Sequence, residues 1–270
     1  MRNKVMAVSV MLAGMWFGTN LAGANDFYVS QKLIETDYEL FAACSSQCPE
    51  IDYTLIDTGL PWLDSTINKA VVNRIDITGM TQENSQEAQV AQAFYAKPMV
   101  SDIELTNQIN RLTKDIISAN NEHGAESAST YVATAHPSLI GMHKGLVLME
   151  IQGYYYLGGN HGLGSHTYYV FDLKNKKYLT LTDIVIKGKQ TQLTQKLQAK
   201  YHQYLKDNDM DPKEMAEYWE FFVTDNFTFT KEGMEFLYQP YEITPYVMGM
   251  PSLALSYQEL SGIIKPQYLK

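Results

Sequence analysis

The sequence predicts an α+β protein with a mainly antiparallel sheet, packed helices and two closely associated subdomains. Apolar residues in the first half recur at helical spacing. From Ser127 onward they alternate with polar residues, as they do in strands. The chain has no internal repeat and no linker rich in proline, glycine or serine, so we expect the two halves to pack against each other.

The first half is predicted to open with a strand and to continue with helices. Residues 50–58 alternate loosely between apolar and polar side chains, which indicates a strand. Segments 60–72 and 90–95 place apolar side chains on one helical face. Ser101 and Glu104 then form a capping box, and a clean stripe of leucine and isoleucine follows it. We therefore expect two or three helices before the sheet begins.

The second half is predicted to be a meander of strands with two inserted helices. The strands are rich in β-branched and aromatic residues and span 129–135, 139–143, 145–156, 166–173, 178–181, 226–230, 234–238 and 253–257. One helix is expected over 193–204, and a second is expected to begin at Asp211 and Pro212. Gly233 lies in the turn between two strands, where we expect it to adopt the left-handed conformation.

Residues 1–24 are predicted to be a secretory signal peptide. Arg2 and Lys4 precede the apolar run 5–17. Small residues occupy the positions that a signal peptidase recognises, which predicts cleavage after Ala24. The run is shorter than the roughly 20 residues that span a bilayer, and no cysteine is placed for lipid attachment. We expect a periplasmic or secreted protein without membrane insertion after cleavage; a retained anchor is the alternative.

The charge balance is acidic. The whole chain carries −9, and removal of the predicted signal takes away Arg2 and Lys4 but no acidic residue, which leaves about −11. Such a surface repels nucleic acid and favours encounter with a cationic partner. Solubility alone is the simpler interpretation. The 19 tyrosines suit half-buried strands and also binding surfaces.

The two cysteines, Cys44 and Cys48, are predicted to form a disulfide outside the cytoplasm. The ring would be small, so it would stabilise the fold by only about 2 kcal/mol before strain. The spacing differs from the Cys-x-x-Cys of thiol oxidoreductases, and no further cysteine completes a zinc site. The expected role is a local structural link.

A loop with four glycines and two histidines, residues 154–166, is the most unusual segment. Its candidate ligand-binding residues are Tyr156, Asn160, His161 and His166. The two histidines could form a metal or general-base site, or they could cap backbone groups in a tight strand connection. The glycine pattern does not indicate dinucleotide binding, because a strand follows it and not a helix.

A second unusual segment, residues 238–249, contributes the candidates Tyr241, Glu242 and Tyr246. Two prolines stiffen it, so it could form one wall of a groove. It could equally be a rigid corner in which Glu242 caps a helix or pairs with a histidine. The chain contains no nucleophile elbow, no His-Glu-x-x-His and no phosphate-binding loop, and we assign no catalytic residue, no metal and no cofactor.

Five motifs together resemble the RsiV-like extracytoplasmic family, paired bacterial domains found in a lysozyme-sensing anti-sigma factor and in PdaC-type peptidoglycan deacetylases. The motifs lie at 156–162, 169–174, 179–185, 221–227 and 239–246. The resemblance covers roughly Tyr131 to Ile264 and extends only loosely to the helical first half.

The resemblance implies an N-terminal PdaC/RsiV-like domain over 25–172 and a C-terminal RsiV-like domain over 173–270. Neither a cytoplasmic sigma-binding region nor a deacetylase segment is expected. The implied function is therefore non-catalytic binding in the cell envelope, with a peptidoglycan fragment or a basic muramidase such as lysozyme as partner. The rival interpretations are a peptidoglycan hydrolase or deacetylase that uses His161 and Glu242, and a purely structural envelope protein.

Overall fold

A computed structural model of the chain describes residues 27–44, 48–76, 86–124 and 130–269. The predicted signal peptide lies outside these residues. Helices and mainly antiparallel sheets are combined, which confirms the predicted α+β class. Among the described helices, none combines the length and hydrophobicity needed to cross a bilayer.

The described helices and strands follow in chain order. The helices are α1 (Pro61–Arg74), α2 (Gln86–Ala96), α3 (Asp102–Gly124), α4 (Leu181–Ile184), α5 (Gln190–Asp207), α6 (Pro212–Met215) and α7 (Tyr257–Leu260). Short 3-10 helices span Tyr38–Ala43, Tyr246–Met248 and Pro266–Tyr268. The strands are β1 (Ser30–Lys32), β2 (Glu50–Tyr53), β3 (Leu55–Asp57), β4 (Val132–His143), β5 (Leu146–Tyr156), β6 (Leu163–Asp172), β7 (Lys177–Tyr178), β8 (Phe227–Phe229), β9 (Gly233–Leu237) and β10 (Ser252–Ser256).

A five-stranded sheet of order β2-β4-β5-β6-β7 lies at the centre of the described fold. Its pairs are antiparallel except for β2 and β4, which run parallel. A three-stranded sheet of order β10-β9-β8 and a small β1-β3 pair complete the strand pairing of the described residues. The meander β4-β5-β6 supplies most of the residues of the five-stranded sheet, as the alternating sequence predicts.

Several predicted elements differ in their limits. The strand expected over 50–58 divides at Thr54 into β2 and β3, which join different sheets. The strands expected over 129–135 and 139–143 form one strand, β4, with a register shift between Leu139 and Gly141. The segment expected as a strand at 178–181 turns into α4, because Thr180 and Asp183 form a capping box there.

The side-chain alternation along β5 separates two hydrophobic cores. Val147 and Met149 face a core that contains α1 and α3. Leu146 and Leu148 face a core that contains α5 and the three-stranded sheet. The central sheet is therefore shared by both halves of the chain, as the absence of a linker predicts. The boundary between residues 172 and 173 stays a prediction.

Gly233 is required for a reason other than the one that the sequence suggested. It is not among the glycines with positive φ, so the expected left-handed conformation is wrong. It instead lies in β9 opposite Ser256 of β10, and a Cβ atom there would lie 1.9 Å from the carbonyl oxygen of Leu255. The close approach of two backbones leaves no room for a side chain.

The predicted disulfide is also wrong. Cys44 and Cys48 are both free thiols. The Cys44 side chain is hydrogen-bonded to Cys48, and burial together with this contact raises the pKa of Cys44 to about 12. A ring this small gains little from closure and demands strict geometry, so proximity in sequence does not ensure a bond.

Replacement of Gly233 by alanine should lower the free energy of unfolding by about 3 kcal/mol, because β9 and β10 must separate to admit the methyl group. Urea unfolding measures the change. Gly145→Asn is the control, since Gly145 has a positive φ but open space around it, and asparagine tolerates that conformation. Equal effects of the two substitutions would contradict the packing argument.

Candidate functional site

Two side-chain amides fix the C-terminal half of the chain to the free edge of β6. The Gln239 amide accepts a hydrogen bond from the backbone N–H of His166 at 3.0 Å and donates to its carbonyl at 2.6 Å. The Asn226 amide accepts from the N–H of Tyr168 at 2.7 Å and donates to the carbonyls of His166 and Leu237 at 2.9 and 3.0 Å. The two amides thus occupy the place of a further strand.

Gln239 also begins a strained turn. The N–H of Glu242 donates to the carbonyl of Gln239 at 3.2 Å, and Pro240 and Tyr241 occupy the corner positions. Tyr241 has φ of +71°, a conformation that favours glycine at this place in a turn. Such strain costs on the order of 1–3 kcal/mol and is retained mainly where function benefits.

The turn places Tyr241 in a group of four aromatic rings, which we call the aromatic surface: His161, Trp219, Tyr241 and Tyr246. The ring centroids of His161 and Tyr246 are 4.1 Å apart, and those of Tyr241 and Tyr246 are 5.5 Å apart. Trp219 stacks on Tyr241 at 6.3 Å. The Tyr241 hydroxyl lies 3.5 Å from Nε2 of His161. Tyr241 remains 47% exposed and His161 is also exposed, so the group faces solvent.

The glycine-rich loop meets this surface directly. The Tyr246 hydroxyl donates to the carbonyl of Gly162 at 3.1 Å. A Cβ atom on Gly162 would lie 2.2 Å from the hydroxyl oxygen of Tyr154 and 2.6 Å from the carbonyl oxygen of Tyr155, so only glycine fits against the end of β5. The Tyr156 hydroxyl closes the loop by donating to the carbonyl of Gly159 at 3.0 Å. Asn160 is exposed on the same loop.

His166 is not part of the aromatic surface. Its Nε2 lies 2.8 Å from Oε2 of Glu150 on β5. The Ser138 hydroxyl and the Gln152 amide donate to the other carboxylate oxygen, each at 3.0 Å. His161 and His166 thus have different partners, and the described residues contain no group of three or more potential metal ligands.

Glu242 acts in the turn and not on the surface. Its carboxylate accepts a hydrogen bond from the N–H of Gln239 at 2.7 Å. Burial raises the pKa of Glu242, while that hydrogen bond and the charge of Arg74 oppose the shift. No hydrogen bond among the described residues joins Glu242 to His161. This bond closes the turn itself and involves neither a helix end nor a histidine, so the two interpretations of the segment stay predictions.

Sequence reasoning identified both loops but missed four residues that position them: Trp219, Asn226, Gln239 and Glu150. Trp219 is the only tryptophan in the second half of the chain, and that rarity was a usable signal. Asn226, Gln239 and Glu150 carried no such signal in the sequence, because their roles depend on the edge and face of a sheet that only folding creates.

Comparison with known proteins supports the fold and a family match for part of the chain. Residues 182–258 match a family described as a protein of unknown function (DUF3298). This range includes Trp219, Tyr241 and Tyr246 but not His161. No curated protein is significantly similar in sequence.

Two crystal structures have a similar fold. A DUF3298 family protein from Pseudomonas aeruginosa PAO1 has 20% sequence identity and a TM-score of 0.62, over 91% of this chain and 97% of that chain. A DUF3298 family member from Bacteroides fragilis NCTC 9343 has 21% identity and a TM-score of 0.55, over 90% of this chain and 93% of that chain. At this identity the similarity establishes the fold.

Asn226→Ala should lower the free energy of unfolding by about 3 kcal/mol, because three hydrogen bonds disappear and backbone groups at the edge of β6 lose their partner. Thermal or urea unfolding measures this. Asn208→Ala is the matched control, since the Asn208 amide makes one exposed hydrogen bond, to the carbonyl of Tyr204. A loss no larger than that of the control would contradict the role assigned to Asn226.

The stability of the protein should also depend on the ionisation of Glu242. Its folded pKa is raised above the ordinary value of 4.5, so its contribution is fully present below that value and is lost as the pH rises through the folded pKa. Glu242→Gln should therefore gain stability relative to wild type as the pH rises from about 4 to about 7. Urea unfolding across this range tests the sign, with the exposed Glu217→Gln as control for removal of charge. A constant difference between wild type and Glu242→Gln would contradict it.

Proposed function

We propose that this protein is a non-catalytic binding protein of the cell envelope and that the aromatic surface is its main contact site. The convergence of the glycine-rich loop and the strained Tyr241 turn on one exposed surface carries this proposal. Stacked tyrosine and tryptophan rings supply contact area with little loss of side-chain entropy. Because hydrogen bonds and tight packing hold both loops, the surface is formed before a partner arrives.

A basic muramidase such as lysozyme is the proposed partner. The chain carries −9, and three glutamates near Trp219 are exposed, at positions 214, 217 and 220, against one exposed lysine at 213. Exposed acidic residues close in sequence to an aromatic anchor favour a cationic protein surface and speed its encounter. The resemblance to the RsiV-like family adds support by analogy. The proposal includes export, with cleavage after Ala24, and the two-domain division at residue 173.

Calorimetric titration of the chain with hen lysozyme tests this function. We expect binding that weakens as salt is raised from about 20 to about 150 mM, because the attraction between the two proteins is screened. Tyr241→Gly should weaken binding by about 30-fold, the loss typical of an aromatic anchor. Since glycine accepts a positive φ, this variant removes the ring and keeps the backbone conformation of the turn.

The matched control is Tyr218→Ala, which removes a tyrosine that is 78% exposed and has no ring contact within the aromatic surface. Its affinity for lysozyme should stay close to that of wild type. Absence of salt-sensitive binding would exclude a muramidase partner. Equal losses in the Tyr218 and Tyr241 variants would exclude the aromatic surface, and binding of soluble muropeptides alone would identify a glycan as the partner instead.

A further inference from the structure

A strip of polar side chains crosses one face of the central sheet beside the aromatic surface. On β5, Leu146 and Leu148 are buried in the C-terminal core, but Glu150, Gln152 and Tyr154 on the same face are not. Gln152 is exposed, and Tyr154 is 42% exposed. We call Glu150, Gln152 and Tyr154, with their neighbours Ser138 and His166, the polar strip.

The hydrogen bonds within the polar strip fix its acceptors in place. Glu150 accepts from Ser138 and Gln152 at one carboxylate oxygen and contacts His166 at the other. A carboxylate has about four lone-pair sites, so about one site on Oε2 stays available. The Gln152 amide uses one N–H for Glu150, and its second N–H and its oxygen have no hydrogen-bond partner among the described residues.

The backbone offers nothing to a ligand here, because β5 is paired with β4 on one side and β6 on the other. An extended peptide binds through backbone hydrogen bonds at a sheet edge, and this face offers it no free backbone groups. The acidic charge of the chain and the carboxylate of Glu150 disfavour nucleic acid. A suitable ligand presents closely spaced hydroxyl or amide groups and an apolar face for the Tyr154 ring.

We propose that the polar strip binds a linear oligosaccharide lying along β5, with one ring against Tyr154 and hydroxyl groups toward Gln152 and Glu150. Tyr154 lies four positions along β5 from Glu150, a distance of about 13 Å. A short oligosaccharide spans that distance and a monosaccharide does not. This site goes beyond the proposed muramidase contact, since it uses the face of the sheet and not the four rings of the aromatic surface.

Titration of the full chain with chitotetraose, followed by calorimetry, tests the proposal, with glucosamine and cellotetraose in parallel. We expect the tetrasaccharides to bind more tightly than the monosaccharide. Gln152→Ala should weaken binding by roughly three- to tenfold, as the loss of one or two hydrogen bonds to the ligand requires. Glu150→Gln, which keeps the shape of the side chain, should weaken it to a similar extent.

Gln192→Ala, an exposed glutamine on α5, is the matched control and should bind as wild type does. Failure of both tetrasaccharides to bind, or equal effects of Gln152→Ala and Gln192→Ala, would overturn the proposal. The muramidase titration separates the two proposals, because Tyr241→Gly weakens that interaction and leaves the polar strip intact. Loss of lysozyme binding in Gln152→Ala together with no tetrasaccharide binding would assign the strip to the protein partner and overturn the glycan site.

Discussion

The hydrogen bonding of the free edge of β6 is the constraint on which the rest of the site depends. The backbone groups of His166 and Tyr168 face outward, where a neighbouring strand would normally pair with them. The amides of Asn226 and Gln239 satisfy these groups, so the C-terminal half can dock at only one position along the edge. Because Gln239 also opens the Tyr241 turn, the same docking sets the place of the aromatic surface.

The composition of β5 sets the second constraint. Leu148 on one face and Val147 on the other supply the two cores, and beyond Leu148 its face is no longer covered by the core. From Glu150 onward the same face carries polar and aromatic groups that remain partly open to solvent. One strand therefore holds the two halves together at one end and leaves a fixed, uncovered surface at the other. A long rigid hairpin suits this double role better than a loop, because each side chain is held by paired backbone.

Prediction from the sequence succeeded where local pattern decides structure. The helical stripe after Ser101 and the strands of the β4-β5-β6 meander lie close to where they were expected. It failed where a contact between distant segments decides. Gly233 is fixed by the backbone of β10. The pairing of Glu150 with His166 likewise follows from strand register, which no single segment reveals. The cysteines are a different case, because a disulfide requires strict geometry even between residues close in sequence.

The sequence by itself determined the α+β class, the order of most elements and the two segments rich in glycine, proline and tyrosine, because periodicity and turn chemistry are local properties. Only the tertiary structure decided that these segments meet, that Tyr241 rather than Glu242 faces solvent, and that two amides close the edge of β6. These outcomes depend on hydrogen bonds between residues about 60 to 80 positions apart. Such bonds form only after the sheet has fixed the positions of their donors and acceptors.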